Sequence, residues 1–240
     1  MAATIPQICD PVQFQLEEAI EAARGLAANR PGFELHVVQY LQAQCLSNRV
    51  SLPTVFRGLE VLGGLLSGMN TEENRLITLL RPFLRSSDPQ IASKCVLVLG
   101  RQSQSMLWLR SVMNETDERI RANLIESLWQ RKEPEVEAVL QSALRDSHPR
   151  VAANAAYGLF QMGSRLWPDA LQNLVGSEKA AFRRSGVWVL KSAAPPDAPS
   201  RLQPLIRDVN ADVRKAAFQA LKHLRERRER NAMSAAAPVA

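Results

Sequence analysis

Thirty-one residues separate Arg183 from Arg214, and twice that interval separates Arg121 from Arg183. Arg184 and Lys215 keep the same interval, as do Asn123 and Asn154, Tyr157 and Trp188, and the series Trp129, Phe160, Lys191, Lys222. A guanidinium makes fork-like contacts to carboxylate or phosphate. Arg, Trp and Tyr carry much of the energy at protein interfaces. The chemistry these columns offer is non-covalent recognition. Each column also has a plainer role. Arg121, Arg183 and Arg214 can bridge to turn carboxylates such as Asp117 or Asp208. Asn123 and Asn154 can cap turns of adjacent units. Trp129, Phe160 and Trp188 can pack between units, and Trp108 and Trp167 read as packing residues near the starts of helices.

Groups that would do covalent or metal chemistry do not converge. His36, His148 and His223 are far apart, and no His/Cys cluster has metal-ligand spacing. No Walker phosphate loop, G-x-G-x-x-G or G-x-S-x-G string is present. The expectation is a protein without catalytic residues, cofactor or metal. Cys9, Cys45 and Cys95 are odd in number and never C-x-x-C, which fits a reduced, cytoplasmic setting. No run of eighteen apolar residues and no secretory leader is read, so a membrane span is not expected.

The net charge of +6 is unevenly placed: from Lys179 to Arg230 stand 13 Lys and Arg against 5 Asp and Glu, while the rest of the chain is slightly acidic. A basic end attracts an acidic protein surface or nucleic acid, or is a solvated terminal helix.

The elements that position these columns come from a repeat. The turns Ser87–Ile91, Thr116–Ile120, Ser147–Val151, Glu178–Phe182 and Val209–Val213 end at anchors 91, 120, 151, 182 and 213. Eight residues after each anchor stand Leu99, Leu128, Leu159, Leu190 and Leu221; eleven before stand Leu80, Leu109, Leu140, Leu171 and Leu202. Seven before stand Leu84, Met113, Leu144, Val175 and Ile206, and four after stand Cys95, Leu124, Ala155, Gly186 and Ala217. Offsets of 0, +4 and +8 share one helix face, and so do −11 and −7. Each unit is therefore two amphipathic helices joined by a polar turn. One pair cannot cover its own apolar face, and stacking does so. The fold class predicted is all-α: a right-handed α-solenoid of stacked antiparallel helix pairs.

Local signals agree. Asp88, Asp117 and Asn210 can accept from free N–H groups at the start of the second helix. Pro89 and Pro149 fit a first-turn position. Pro82 and Pro204 share a column inside the first helix and should bend it. The mostly small residues at +4 are expected to let second helices approach the neighbouring unit.

Residues 1–70 read as a helical N-terminal cap or degenerate repeat, with helices over 12–28, 34–47 and 54–67. Residues 71–229 hold five repeats, and 230–240 form a disordered tail.

The strings Asp117-Glu118-Arg119-Ile120-Arg121-Ala122-Asn123 and Arg145 to Ala156 resemble HEAT-like repeats, especially the short bacterial type. The fourth unit departs most, with Lys179 and Phe182 where Asp and Val are usual. The resemblance implies a protein-interaction scaffold that binds through the face of its second helices. Two other kinds of HEAT-like protein give alternatives. Phe182–Leu190 is similar to helices of alkylpurine DNA glycosylases, which implies nucleic-acid binding, although no Asp stands clearly beside a Trp. Bilin lyases use similar short repeats, but nothing here marks a tetrapyrrole site. The candidate interaction surface is Arg121, Asn123, Trp129, Asn154, Tyr157, Arg183, Arg184, Trp188, Arg214 and Lys215.

Overall fold

The computed structural model describes residues 4–46, 51–66, 73–102, 106–129 and 131–236, and every regular element among them is helical. In chain order the helices are α1 (Ile5–Ile8), α2 (Leu16–Ala28), α3 (Phe33–Leu46), α4 (Leu52–Leu66), α5 (Glu73–Leu84), α6 (Pro89–Gln102) and α7 (Met106–Val112). There follow α8 (Glu118–Ser127), α9 (Pro134–Ala143), α10 (Pro149–Met162), α11 (Trp167–Val175), α12 (Ala180–Ala193), α13 (Ala198–Leu202), a 3-10 turn at Pro204–Arg207, and α14 (Ala211–Ala236). Two compact units divide them, Met1–Ser127 and Leu128–Ala240. The class is all-α and of the solenoid type, because each unit is built from helix pairs that pack in sequence.

In the first unit α2, α4, α6 and α8 form one row, each against the next. Helices α3, α5 and α7 pair with α4, α6 and α8. Ile8, Phe33, Leu41, Leu59, Leu62, Leu80 and Phe83 are closed off from solvent in its core. An ion pair between Lys94 and Glu60 ties α6 to α4.

In the second unit α10, α12 and α14 form the row, and α9, α11 and α13 with its 3-10 turn lie against them. Both leucine columns are buried: Leu80, Leu109, Leu140, Leu171 and Leu202 on first helices, and Leu99, Leu128, Leu159 and Leu190 at +8. Each contributes about 2 kcal/mol relative to an exposed side chain. Leu221 is only half-buried, on the last helix of the row. The −7 column, from Leu84 to Ile206, is half-buried throughout and marks the edge of the packed face.

The turns close as the residue types require. Asp88 accepts from the Gln90 N–H and Asp117 from the Arg119 N–H, both at 2.8 Å. Asn210 accepts from Asp212 and Val213. Pro89, Pro134 and Pro149 each open a helix, where the missing N–H has no partner to lose.

Three expectations need correction. The +4 position faces the first helix of its own pair, not the neighbouring unit: a Cβ on Gly186 would lie 2.8 Å from Val175 Cγ1 and 3.1 Å from its backbone nitrogen. The Cys95 thiol likewise donates to the Leu80 carbonyl of α5. The two prolines of one column behave differently. Helix α5 continues through Pro82, whereas the equivalent helix stops at Leu202 and resumes as a 3-10 turn from Pro204. Finally, α14 runs on to Ala236, past the boundary expected at 230, because alanine favours helix. Residues 237–240 lie outside the described residues.

Candidate functional site

Offset +1 places an arginine on the first turn of the second helix, aimed back at the preceding loop. The loop lies beyond the end of the first helix, so its carbonyls are outside any helical ladder. Arg183 Nη1 donates to the carbonyls of Ser177 and Glu178, both at 2.8 Å. Arg121 Nη1 does the same to Glu115 and Thr116, at 2.8 and 2.9 Å. Arg214 Nη1 does so to Asp208 and Val209, at 2.8 and 3.0 Å. In every case the acceptors stand five and four residues before the anchor.

Arg183 adds a bidentate pair with Asp208, through Nε at 2.6 Å and Nη2 at 2.7 Å. The hydrogen bonds from Arg183 hold the Asp208 carboxyl below the usual carboxylate range. The same bonds raise the Arg183 guanidinium above its ordinary value. The +1 arginines thus act as turn clamps.

At +3, the Asn123 side chain serves a helix rather than a turn. Asn123 is buried, and its Nδ2 donates to the Ser93 carbonyl on α6 at 2.9 Å. Asn154, also buried, lends its backbone carbonyl to the Trp129 indole N–H at 3.0 Å. For Asn123 the expected capping of an adjacent turn is replaced by a side-chain bond to the neighbouring second helix.

Positions +2, +6 and +9 share one helix face. On this face the second unit gathers its rings. Trp129 meets Tyr157 edge-on at 4.7 Å between centroids and stacks toward Trp188 at 6.3 Å. Tyr157 lies 5.6 Å from Trp188 and 6.3 Å from Phe160, and Phe160 lies 5.0 Å from Trp167. Gln161 donates to the Tyr157 hydroxyl at 2.8 Å. Trp129, Tyr157, Phe160 and Trp167 are half-buried; Trp188 is 38% exposed. Trp167 joins from the start of α11, and no spacing in the sequence links it to the others.

Beyond the rings the same face turns cationic. Arg184, Lys191 and Lys215 are exposed, and among the described residues no hydrogen bond or ion pair engages their side chains. Lys222 is exposed and lies 3.9 Å from Glu226. Of the predicted surface, the second unit therefore brings together Trp129, Tyr157, Arg184, Trp188 and Lys215. Arg183 and Arg214 are turned to internal bonding, Asn154 is buried, and Arg121 and Asn123 belong to the first unit.

Among the described residues no group of three or more His, Cys, Asp and Glu could hold a metal ion. A hollow of about 380 Å³ lies elsewhere in the second unit, lined by Gln141, Leu144, Arg145, Asn173 and Phe182, and it gathers no pair of titratable groups that could exchange a proton.

Recurring helix pairs, with one arginine clamp recurring at their turns, define a helical-repeat protein. Residues 77–159 and 106–185 match the HEAT repeats family, and the chain is a HEAT-like repeat protein across that span. No curated protein matches it in sequence. Two solved structures show a distant likeness. Human deoxyhypusine hydroxylase in complex with glycerol shares 15% identity, covering 92% of this chain and 94% of its own, with a TM-score of 0.39. An engineered protein shares 18% identity, covering 92% and 96%, with a TM-score of 0.29. Likenesses this distant bear no weight on function. No described helix is long and apolar enough to cross a membrane.

Proposed function

We propose that this chain is a non-enzymatic protein-interaction scaffold. Residues 71–229 serve as its repeat array, 1–70 as its cap and the second-helix face of the second unit as its contact surface. The observation that carries the reading is Trp188. It is a large ring left 38% exposed while packed against two others, Trp129 and Tyr157. A packed, partly exposed aromatic beside exposed cations has the make-up of an interface hot spot. The scattered cysteines support a reducing compartment, and we place the protein in the cytoplasm.

Single-stranded nucleic acid is a weaker fit. Stacking platforms present several successive open ring faces, and here Trp188 is the one exposed ring of the cluster.

The test is capture from native lysate with the wild-type chain and with Trp188→Ala, after both are shown to melt alike. A polypeptide held by the wild type and lost by the variant is expected. Equal retention by both, or no retained polypeptide, overturns the reading.

A further inference from the structure

We infer that the polypeptide taken by this face is an acidic segment with one apolar anchor residue, a deepening that rests on the scaffold reading above. The face is graded. On α10 its +2, +6 and +9 positions are Ala153, Tyr157 and Phe160; on α12 they are Arg184, Trp188 and Lys191; on α14 they are Lys215, Gln219 and Lys222. Rings thus occupy the α10 side, cations the α14 side, and α12 carries both.

The cations differ from the other basic groups nearby. Arg183 and Arg214 are held by turn carbonyls, and Arg183 by Asp208 as well. Arg201 is bonded to Asp197. Arg184, Lys191 and Lys215 are left to solvent on the face that also carries Trp188. No acidic residue occupies the +2, +6 or +9 positions of α10, α12 or α14. A ligand that complements this strip must be negative along one part and apolar at one end.

Size sets a limit. Packed helices lie about 8–10 Å apart, so crossing from α10 to α14 spans roughly 18 Å. An extended chain covers that with about six residues at ~3.3 Å each. The fitting segment is short: an apolar side chain over Trp188 and Tyr157, followed by carboxylates over Arg184, Lys191, Lys215 and Lys222.

The test uses the full chain and three labelled probes read by fluorescence anisotropy. These are a Glu-rich peptide with one Phe at its end, the same peptide with Gln for every Glu, and a single-stranded oligothymidine of equal charge. The Glu peptide should bind at least about tenfold tighter than the Gln peptide at low salt and lose most of that margin at high salt. Arg184→Glu with Lys191→Glu, both exposed positions, should erase the margin, while Trp188→Ala should weaken both peptides alike. Equal binding of the two peptides overturns the acidic preference and leaves the contact surface standing. Unchanged affinity in the charge-reversed variant, binding of neither peptide, or tighter binding of the oligothymidine also overturns the inference. Failure of the lysate capture, by contrast, removes the scaffold reading itself.

Discussion

Arg183 grips both carboxylate oxygens of Asp208 while its third nitrogen holds two carbonyls of its own turn. The pair joins consecutive repeats and is nearly closed off, with side-chain exposures of 12% and 6%. Lysine at 183 would offer one point charge in place of a fork, so Arg183→Lys is not a conservative change.

The pair predicts a pH signature. Arg183 holds the folded-state pKa of Asp208 below the ordinary value of 3.8. A depressed carboxyl contributes stability that is complete above the unfolded value and is lost as pH falls through the folded one. Thermal melts of the wild type and Asp208→Asn should therefore differ by a constant gap at neutral pH. The gap should close on acidification below about pH 4. A gap that survives undiminished at pH 3 or lower contradicts this assignment.

Leu159 is fully buried in α10. Leu159→Ala should cost about 3 kcal/mol through lost contacts and a cavity. Leu159→Asp should unfold the second unit outright, since an unpaired charge has no partner there. Circular dichroism melts check both, and an unchanged melt for the aspartate variant would show that the repeat register is misplaced.

Gly186 tests the corrected role of the +4 column. Leu124 occupies the same column two units earlier, so sequence alone would tolerate leucine at 186. The approach of Val175 leaves no room for it. Gly186→Leu should cost about 1–3 kcal/mol by overpacking α11 against α12. Chemical denaturation that gives wild-type stability would remove the close-approach argument.

Asn123→Ala should cost about 1–3 kcal/mol, because a buried donor to the Ser93 carbonyl is lost. The change should lower the urea midpoint without altering the slope.

The thiols should separate by accessibility. Burial pushes Cys9 up to about 12 and Cys95 higher still. Cys45 is half-buried and also raised, by desolvation first and by the Asp88 charge second. A thiol reagent on the native protein should modify one cysteine, slowly at neutral pH and faster as pH rises. Rapid modification of all three would contradict the burial of Cys9 and Cys95.

Much of the fold was legible because it is periodic. The leucines at −11 and +8 sit where helical geometry must bury them, and Asp88, Asp117 and Asn210 cap as their short side chains allow. What periodicity could not convey is direction between helices. Arg183 and Arg184 both entered the candidate surface, although adjacent residues on a helix point about 100° apart. One therefore clamps a turn and the other faces solvent. Periodicity also hid Trp167, which reaches the ring cluster from a first helix through tertiary packing alone. The +4 column misled for a related reason: a small residue signals a close neighbour without naming which one.

The clamp at Arg183 has a mechanical consequence. One guanidinium is bonded to the loop before α12 and to the loop before α14, and Arg214 seizes the carbonyl of the same Asp208. Tension applied at the C-terminus is passed from the outer loop to the inner one before either helix pair has loosened. The last pair should then come away together with the one before it, as a single event under force, and cutting the link at Asp208 should split that event into two smaller ones.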